Sequence, residues 1–213
     1  MKQPFPRFGP KEIDLLKIRC SLYLNHTVPI SDQIKIDDAS ESRAAAVFIP
    51  LCNFQNMPSV IFTLRSTAVG THKGQVSFPG GHINDGENAI EAAMRETREE
   101  LGSRLGEFEI LAQCQMVPTL TGTIVTPVLG FLMKDFTDFS LFTSNPREVD
   151  RVFVRSIDQL MSPGYRTFEK FNRNGRVVNM PVFGANEKEE RIWGLTAIIL
   201  SGVLDNVLDP KTM

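Results

Sequence analysis

Tryptophan occurs once in this chain of 213 residues, tyrosine twice, and cysteine and histidine three times each. Cys20, Cys52 and Cys114 are odd in number and far apart, with no C-x-x-C pair. Neither a disulfide framework nor a cysteine-based zinc site is expected from them. They read as small buried hydrophobes in a protein of a reducing compartment. No run of 18 apolar residues exists, so no membrane-spanning helix is expected. The first twenty residues lack the apolar core of a signal peptide and carry Glu12 and Asp14, acids that a mitochondrial presequence avoids. The closing Lys-Thr-Met is not a peroxisomal SKL-type address. These features suit an intracellular protein, cytoplasmic or mitochondrial. Also missing are the G-x-x-x-x-G-K-[ST], G-x-S-x-G and H-E-x-x-H patterns, and with them three common chemistries. Trp193 reads as a core residue rather than a base-stacking platform.

Charge of neither sign is in excess. A net charge of −2 gives no reason to expect a nucleic-acid or membrane partner. The distribution is less even. From Arg43 to Ile83 there is no Asp or Glu, while Arg43, Arg65 and Lys73 are basic. From Asp85 to Glu100 six acids face only Arg95 and Arg98. An acidic stretch beside an acid-free basic one suits a site for metal and phosphate, and it equally suits an ordinary polar surface.

With 42% hydrophobic residues the chain can bury a full core. Residues 11–24 read as a short helix and 25–42 as a polar connecting arm, so 1–42 is set apart from a main domain over 43–213. Ala44–Leu51 and Ser59–Leu64 read as strands joined by a loop over Asn53–Pro58. A short strand is expected around Gln75–Phe78, followed by a turn at Pro79-Gly80-Gly81. Further strands are expected at Phe108–Val117, Ile124–Met133, Arg151–Val154 and Val177–Val182, and a terminal helix at Trp193–Val207. The irregular alternation predicts an α/β fold with a mixed β-sheet between helices.

The clearest helix is predicted over Glu87–Leu101, closed by Gly102. Ile90, Ala93, Met94, Thr97 and Leu101 form its core stripe. Glu96, Glu99 and Glu100 crowd together off that stripe, toward the opposite side. Like charges so spaced cost roughly 0.2–0.5 kcal/mol per pair. A cation would relieve them, and oxygen-only ligation suits Mg²⁺ or Mn²⁺ better than zinc.

Written as a pattern, the segment is G-x5-E-x7-R-E-U-x-E-E-x-G-U, where U is aliphatic. Gly81, Glu87, Arg95, Glu96, Glu99, Glu100 and Gly102 fill every fixed position. Seven such matches arise by chance with odds on the order of one in a million. The segment resembles the signature of the Nudix hydrolases, enzymes that cleave a diphosphate linked to another moiety. Thr97 and Ser103 depart from it at aliphatic positions. The resemblance implies the family's α-β-α sandwich. It also implies that Glu96, Glu99 and Glu100, with the Gly80 carbonyl, hold one to three Mg²⁺ or Mn²⁺ ions while Arg95 orients the ligands. For Glu87 two readings stand: a favourable charge at the helix start, or an anchor for Arg95.

Residues 61–81, IFTLRSTAVGTHKGQVSFPGG, look like the upstream element of the coenzyme A diphosphatase branch of that family. Thr63, Arg65, Ser66, Gly74, Phe78, Pro79, Gly80 and Gly81 match; Gly70 replaces the branch's second arginine. RIWGLTA at 191–197 also resembles this branch. The resemblance implies hydrolysis of coenzyme A and acyl-coenzyme A to 3′,5′-ADP and (acyl-)4′-phosphopantetheine. Arg65, Ser66, His72 and Lys73 then bind the substrate. Glu148 is the candidate downstream base, with a surface residue before a strand as its alternative. The expected partner is a small molecule, and a homodimer is compatible with the sequence. Two other readings are a Nudix hydrolase of ADP-ribose, NADH or an oxidised nucleotide, and a non-catalytic Nudix ligand-binding module.

Overall fold

The computed structural model describes residues 4–26, 44–67, 73–119, 121–173, 176–186 and 190–209. The arm expected over 25–42 falls almost wholly outside them, as do Gly70 and His72.

Two long apolar strands, β1 (Ala44–Phe54) and β2 (Met57–Arg65), form a hairpin. Its turn is only Gln55-Asn56, both at positive φ (50° and 63°). The expected loop over Asn53–Pro58 is therefore mostly strand. A two-residue turn with both residues left-handed matches the twist of the flanking strands. The strain of Gln55 there is offset by bonds from its backbone N–H to the Phe136 carbonyl (2.9 Å) and from its side chain to the Thr137 carbonyl (3.1 Å).

Short strands β3 (Val76–Ser77) and β4 (Gly80–His82) pair with the far ends of β2 and β1. Helix α1 (Pro10–His26) precedes them all and α2 (Ala89–Leu101) follows β4. The strand expected over Phe108–Val117 is two pieces, β5 (Phe108–Gln113) and β6 (Val117–Pro118), both antiparallel to β7 (Ile124–Leu132). β7 runs parallel to β1 from Ala44↔Ile124 to Leu51↔Phe131, and β8 (Val149–Ser156) pairs with β2. The result is the mixed sheet expected. After the short α3 (Ile157–Leu160), β9 (Arg166–Arg173) and β10 (Arg176–Phe183) form a separate two-stranded sheet. β9 was not expected, because RTFEKFNR mixes charges and rings without a dominant apolar face. The terminal helix is α4 (Gly194–Val203), continued by a π-helical turn to Leu208.

Strand alternation divides the core. Ala46, Phe48 and Val128 point to one face and pack on Ala92 and Ala93 of α2. Ile49, Leu51, Phe62 and Leu129 point to the other, against Ile13, Leu16 and Cys20 of α1 and Ala197 and Leu200 of α4. Phe62 stacks between Phe78 (5.2 Å) and Phe153 (5.6 Å). Cys20 and Cys52 are buried free thiols, and burial pushes the pKa of Cys20 up to about 11, as inert core residues require. Among the described residues no helix is long and apolar enough to cross a membrane.

Asn53, buried in β1, ties down the segment before α1. Its side chain bonds both the N–H and the carbonyl of Phe8 (3.0 Å each) and Asp135 (3.0 Å). Replacing Asn53 by Ala leaves buried backbone groups unpaired. The expected loss is about 2–3 kcal/mol, read from the denaturant midpoint at unchanged slope.

Candidate active site

Helix α2 begins at Ala89, two residues later than predicted, because Asn88 caps it. Its side chain accepts from the N–H groups of Ile90 and Glu91 (3.0 Å each), and Glu91 accepts from the Asn88 N–H (2.9 Å). Such a capping box is legible as Asn-x-x-Glu. Gly102 ends the helix at φ 95°, its N–H donating to the Arg98 carbonyl (2.9 Å). A side chain there would run into Thr143. The two departures from the signature are absorbed locally. Thr97 is buried but bonds the Ala93 carbonyl (2.6 Å), and Ser103 is exposed while Leu105 fills the core.

Glu87 thus lies outside the helix. Its carboxylate takes Arg95 in a two-point grip, Nε and Nη2 donating at 2.9 Å each, and accepts the Asn84 N–H. The Arg95 guanidinium, then the Asn84 bond, hold the Glu87 carboxyl below its ordinary pKa. Of the two readings of Glu87, the anchor for Arg95 is the one realised. Arg95 Nη1 also donates to Glu96 (2.8 Å) and lies 3.6 Å from Glu99, while Nη2 reaches the His82 carbonyl (3.0 Å).

The three glutamates, predicted to crowd on one side of the helix off its core stripe, differ in burial. Glu99 is exposed and Glu96 half-buried, whereas Glu100 is 4% exposed. A second wall explains the difference: β4 packs across that flank of α2, and glycine lets it come close. A Cβ on Gly81 would overlap the Glu96 carboxylate; one on Gly80 would overlap the backbone of Ala46 and Val47.

Burial pushes the Glu100 pKa up to about 8. Arg65 pulls it down, Glu96 and Glu148 push it up, and a bond from the Gly80 backbone pulls it down again. Arg65 Nη1 stands 4.0 Å from Glu100 Oε1, and Oε2 is buried with no hydrogen-bond partner among the described residues. An orphaned carboxylate oxygen beside further carboxylates fits a hard cation. Even so, among the described residues no three acids, histidines or cysteines stand together as a formed metal cluster, because Arg95 holds Glu96 and Glu99 points to solvent.

Ser66 is buried, and its N–H donates to the Glu148 carbonyl (2.8 Å), which brings the end of β2 to the start of β8. Glu148 is half-buried, and Asn145 donates to its Oε1 (3.2 Å). Asn145 was not anticipated, although Asn-Pro is a turn signal. Lys73 is exposed, near Arg65 through the Gly74 N–H to Arg65 carbonyl bond (3.1 Å). Trp193 is 48% exposed, not in the core as read: its extended neighbour Ile192 is buried and bridged to Phe183, so the next side chain faces the other way.

A Nudix domain profile matches residues 42–172. The chain is 37% identical over 163 residues to a mouse protein named mitochondrial coenzyme A diphosphatase NUDT8, covering 75% of this chain and 76% of that protein. Its human counterpart is 36% identical over 172 residues, covering 79% and 71%. A Caenorhabditis elegans protein named Nudix hydrolase 3 is 31% identical over 189 residues, covering 82% and 77%. The crystal structure of a MutT/nudix family protein from Enterococcus faecalis matches with a TM-score of 0.53 at 14% identity, over 95% of this chain and 76% of that one, a likeness of fold.

Two outcomes follow from the geometry. The folded pKa of Glu100, about 8, lies above its ordinary 4.5, so its ionisation opposes folding increasingly as pH rises from about 4.5 to about 8. Glu100→Gln is therefore expected to stabilise the fold at pH 7, on the order of 1–3 kcal/mol, and to leave it unchanged at pH 4, in chemical denaturation. Gly81→Ala meets only the tip of a flexible side chain, so it moves Glu96 with a small cost in Tm. Gly80→Ala meets backbone and lowers Tm by several degrees.

Proposed function

Since the chain belongs to the Nudix hydrolase family and is thereby an enzyme acting on a diphosphate bond, we propose that its substrate is coenzyme A or an acyl-coenzyme A. The products would be 3′,5′-ADP and (acyl-)4′-phosphopantetheine. One observation carries this reading. Arg65, from the element that resembles the coenzyme A branch, lies 4.0 Å from Glu100 of the Nudix helix, so both motifs serve one site. The names of the mouse and human relatives support the same substrate and favour a mitochondrial location over a cytoplasmic one.

Nudix hydrolases generally need a divalent metal. Glu96, Glu99 and Glu100, with the Gly80 carbonyl, are the residues that would hold Mg²⁺ or Mn²⁺ here; the orphaned Glu100 Oε2 supports that role. A metal held there would supply positive charge against the diphosphate and a water activated for attack. Arg95 keeps Glu96 oriented through its grip on Glu87. Arg65, Ser66 and Lys73, together with His72, bind the phosphate oxygens, the guanidinium through paired N–H donors. Glu148 takes the proton of the water, with Asn145 fixing its carboxylate.

Gly70, where the branch has an arginine, favours a second reading: a Nudix hydrolase of another nucleoside diphosphate derivative such as ADP-ribose, NADH or an oxidised nucleotide. A non-catalytic Nudix module fits less well, since every carboxylate of the signature is present.

Incubating purified protein with coenzyme A or ADP-ribose at equal concentration, with Mg²⁺, Mn²⁺ or a chelator, separates these readings. Release of 3′,5′-ADP only with metal is expected, together with a loss of at least about a hundredfold in kcat for Glu100→Gln. Preferential cleavage of ADP-ribose would overturn the substrate, and full activity of Glu100→Gln the site.

A further inference from the structure

A cavity of about 580 Å³ outside the carboxylate cluster is lined by residues 150–155 in unbroken succession. Neighbouring residues of a strand point to opposite faces. Six in a row can line one cavity only where it straddles the edge of the strand. β8 pairs with β2 on one side, and among the described residues no strand pairs with the other. Such an edge offers amide N–H and carbonyl groups to an extended chain laid along it, apart from the Val154 carbonyl, which accepts from Arg155 Nη1 (3.0 Å).

The two walls differ in chemistry. On the side of α2 stand Phe54, Phe139 and Phe142, with Phe139 5.3 and 5.7 Å from the other two and 39% exposed. On the side of α4, Arg151 (2.8 Å) and Arg155 both pair with Glu190, and Arg155 lies over the Phe153 ring at 4.7 Å. Asp150 supplies a second acid, so the charges of the described lining residues cancel. A groove with balanced charge does not attract a phosphate. It suits a neutral chain that carries amides and ends in an aliphatic tail.

Its position gives the direction. Ser144 and Asp150 line one end, next to Asn145 and two residues beyond Glu148; at that level Arg65 pairs with Val149 and Leu64 with Arg151. Arg155, opposite Val60, marks the other end, about 17 Å away at 3.4 Å per residue. The groove therefore leads away from the carboxylates along the sheet edge.

We propose that this groove seats the pantetheine arm of the substrate. The two secondary amides of the arm bond to the outer edge of β8, and an acyl tail lies on Phe54, Phe139 and Phe142. This rests on the reading of coenzyme A as substrate and adds where its non-nucleotide half is recognised.

Hydrogen exchange on the full-length protein tests it with the two product halves, which need no turnover. 4′-Phosphopantetheine is expected to slow exchange of the 150–155 amides, and 3′,5′-ADP is not. Phe139→Glu is expected to raise KM for a long-chain acyl-coenzyme A about tenfold relative to KM for coenzyme A, the scale of a lost aromatic contact. No protection by 4′-phosphopantetheine at concentrations that inhibit turnover overturns the groove, as does equal protection by 3′,5′-ADP. Edge amides already protected in a free protein that sediments as a dimer assign the edge to a second copy and overturn it too. An unchanged KM ratio removes the acyl tail from the phenylalanine wall. Cleavage of coenzyme A without protection sinks the groove alone, while protection without cleavage sinks the substrate reading and leaves a pantetheine site.

Discussion

A carboxylate can be buried on α2 because Gly81 lets the backbone of β4 lie against the helix while Gly80 lets β4 close onto β1. Gly80 fits beneath the Ala46 carbonyl and Gly81 against the Glu96 carboxylate, where any side chain would overlap. That approach removes water from Glu100 and brings the Gly80 backbone, Arg65 and Glu148 around it. Taking a charge out of water is costly unless it is paired. At 4.0 Å, Arg65 compensates only in part, and one oxygen has no partner among the described residues. The site is thus held in a state that favours the neutral acid, and the rest of the fold supplies the stability that opposes it.

That stability comes from layers clamped at both ends of the chain. Helix α1 shares its apolar face with α4 and the π-helical turn. Arg19 of α1 donates to the carbonyls of Val207 (2.6 Å) and Asp209 (3.1 Å), the carbonyls that the end of a helix leaves without partners. Asn53 fixes the segment before α1 to β1. These ties lie on the face away from α2, so the face that carries Glu100 can keep an incompletely paired carboxyl without loosening the sheet.

Much of this was legible in the residues. Periodicity found α2, and β-branched runs found β1, β2 and β7. What escaped has physical causes. A helical wheel sees one partner surface, so it set Glu100 beside Glu96 and Glu99 off the core stripe; the second surface, β4, comes from a glycine pair twenty residues upstream. The loop at Gln55-Asn56 was drawn too long because non-glycine residues rarely take positive φ, and here tertiary bonds hold them. β9 escaped because RTFEKFNR has no dominant apolar face, and among the described residues it pairs with β10 alone, outside the main sheet. For Trp193, residue type suggested the core, but it alternates with the buried Ile192, which bridges to Phe183.

Three glutamates of one motif consequently sit in three environments, and Arg95 sets the division. A guanidinium has five donors in a fixed plane. Here they serve both oxygens of Glu87, one of Glu96 and the His82 carbonyl at once. A lysine ammonium, a point charge on a flexible stem, has no planar fork to hold Glu87 in the same two-point grip while reaching Glu96. The planar cation therefore fixes the loop before α2 to the middle of the helix. It quenches the repulsion at Glu96 and leaves Glu100 to Arg65, so that the buried carboxylate, not the exposed ones, is the group whose charge is least satisfied.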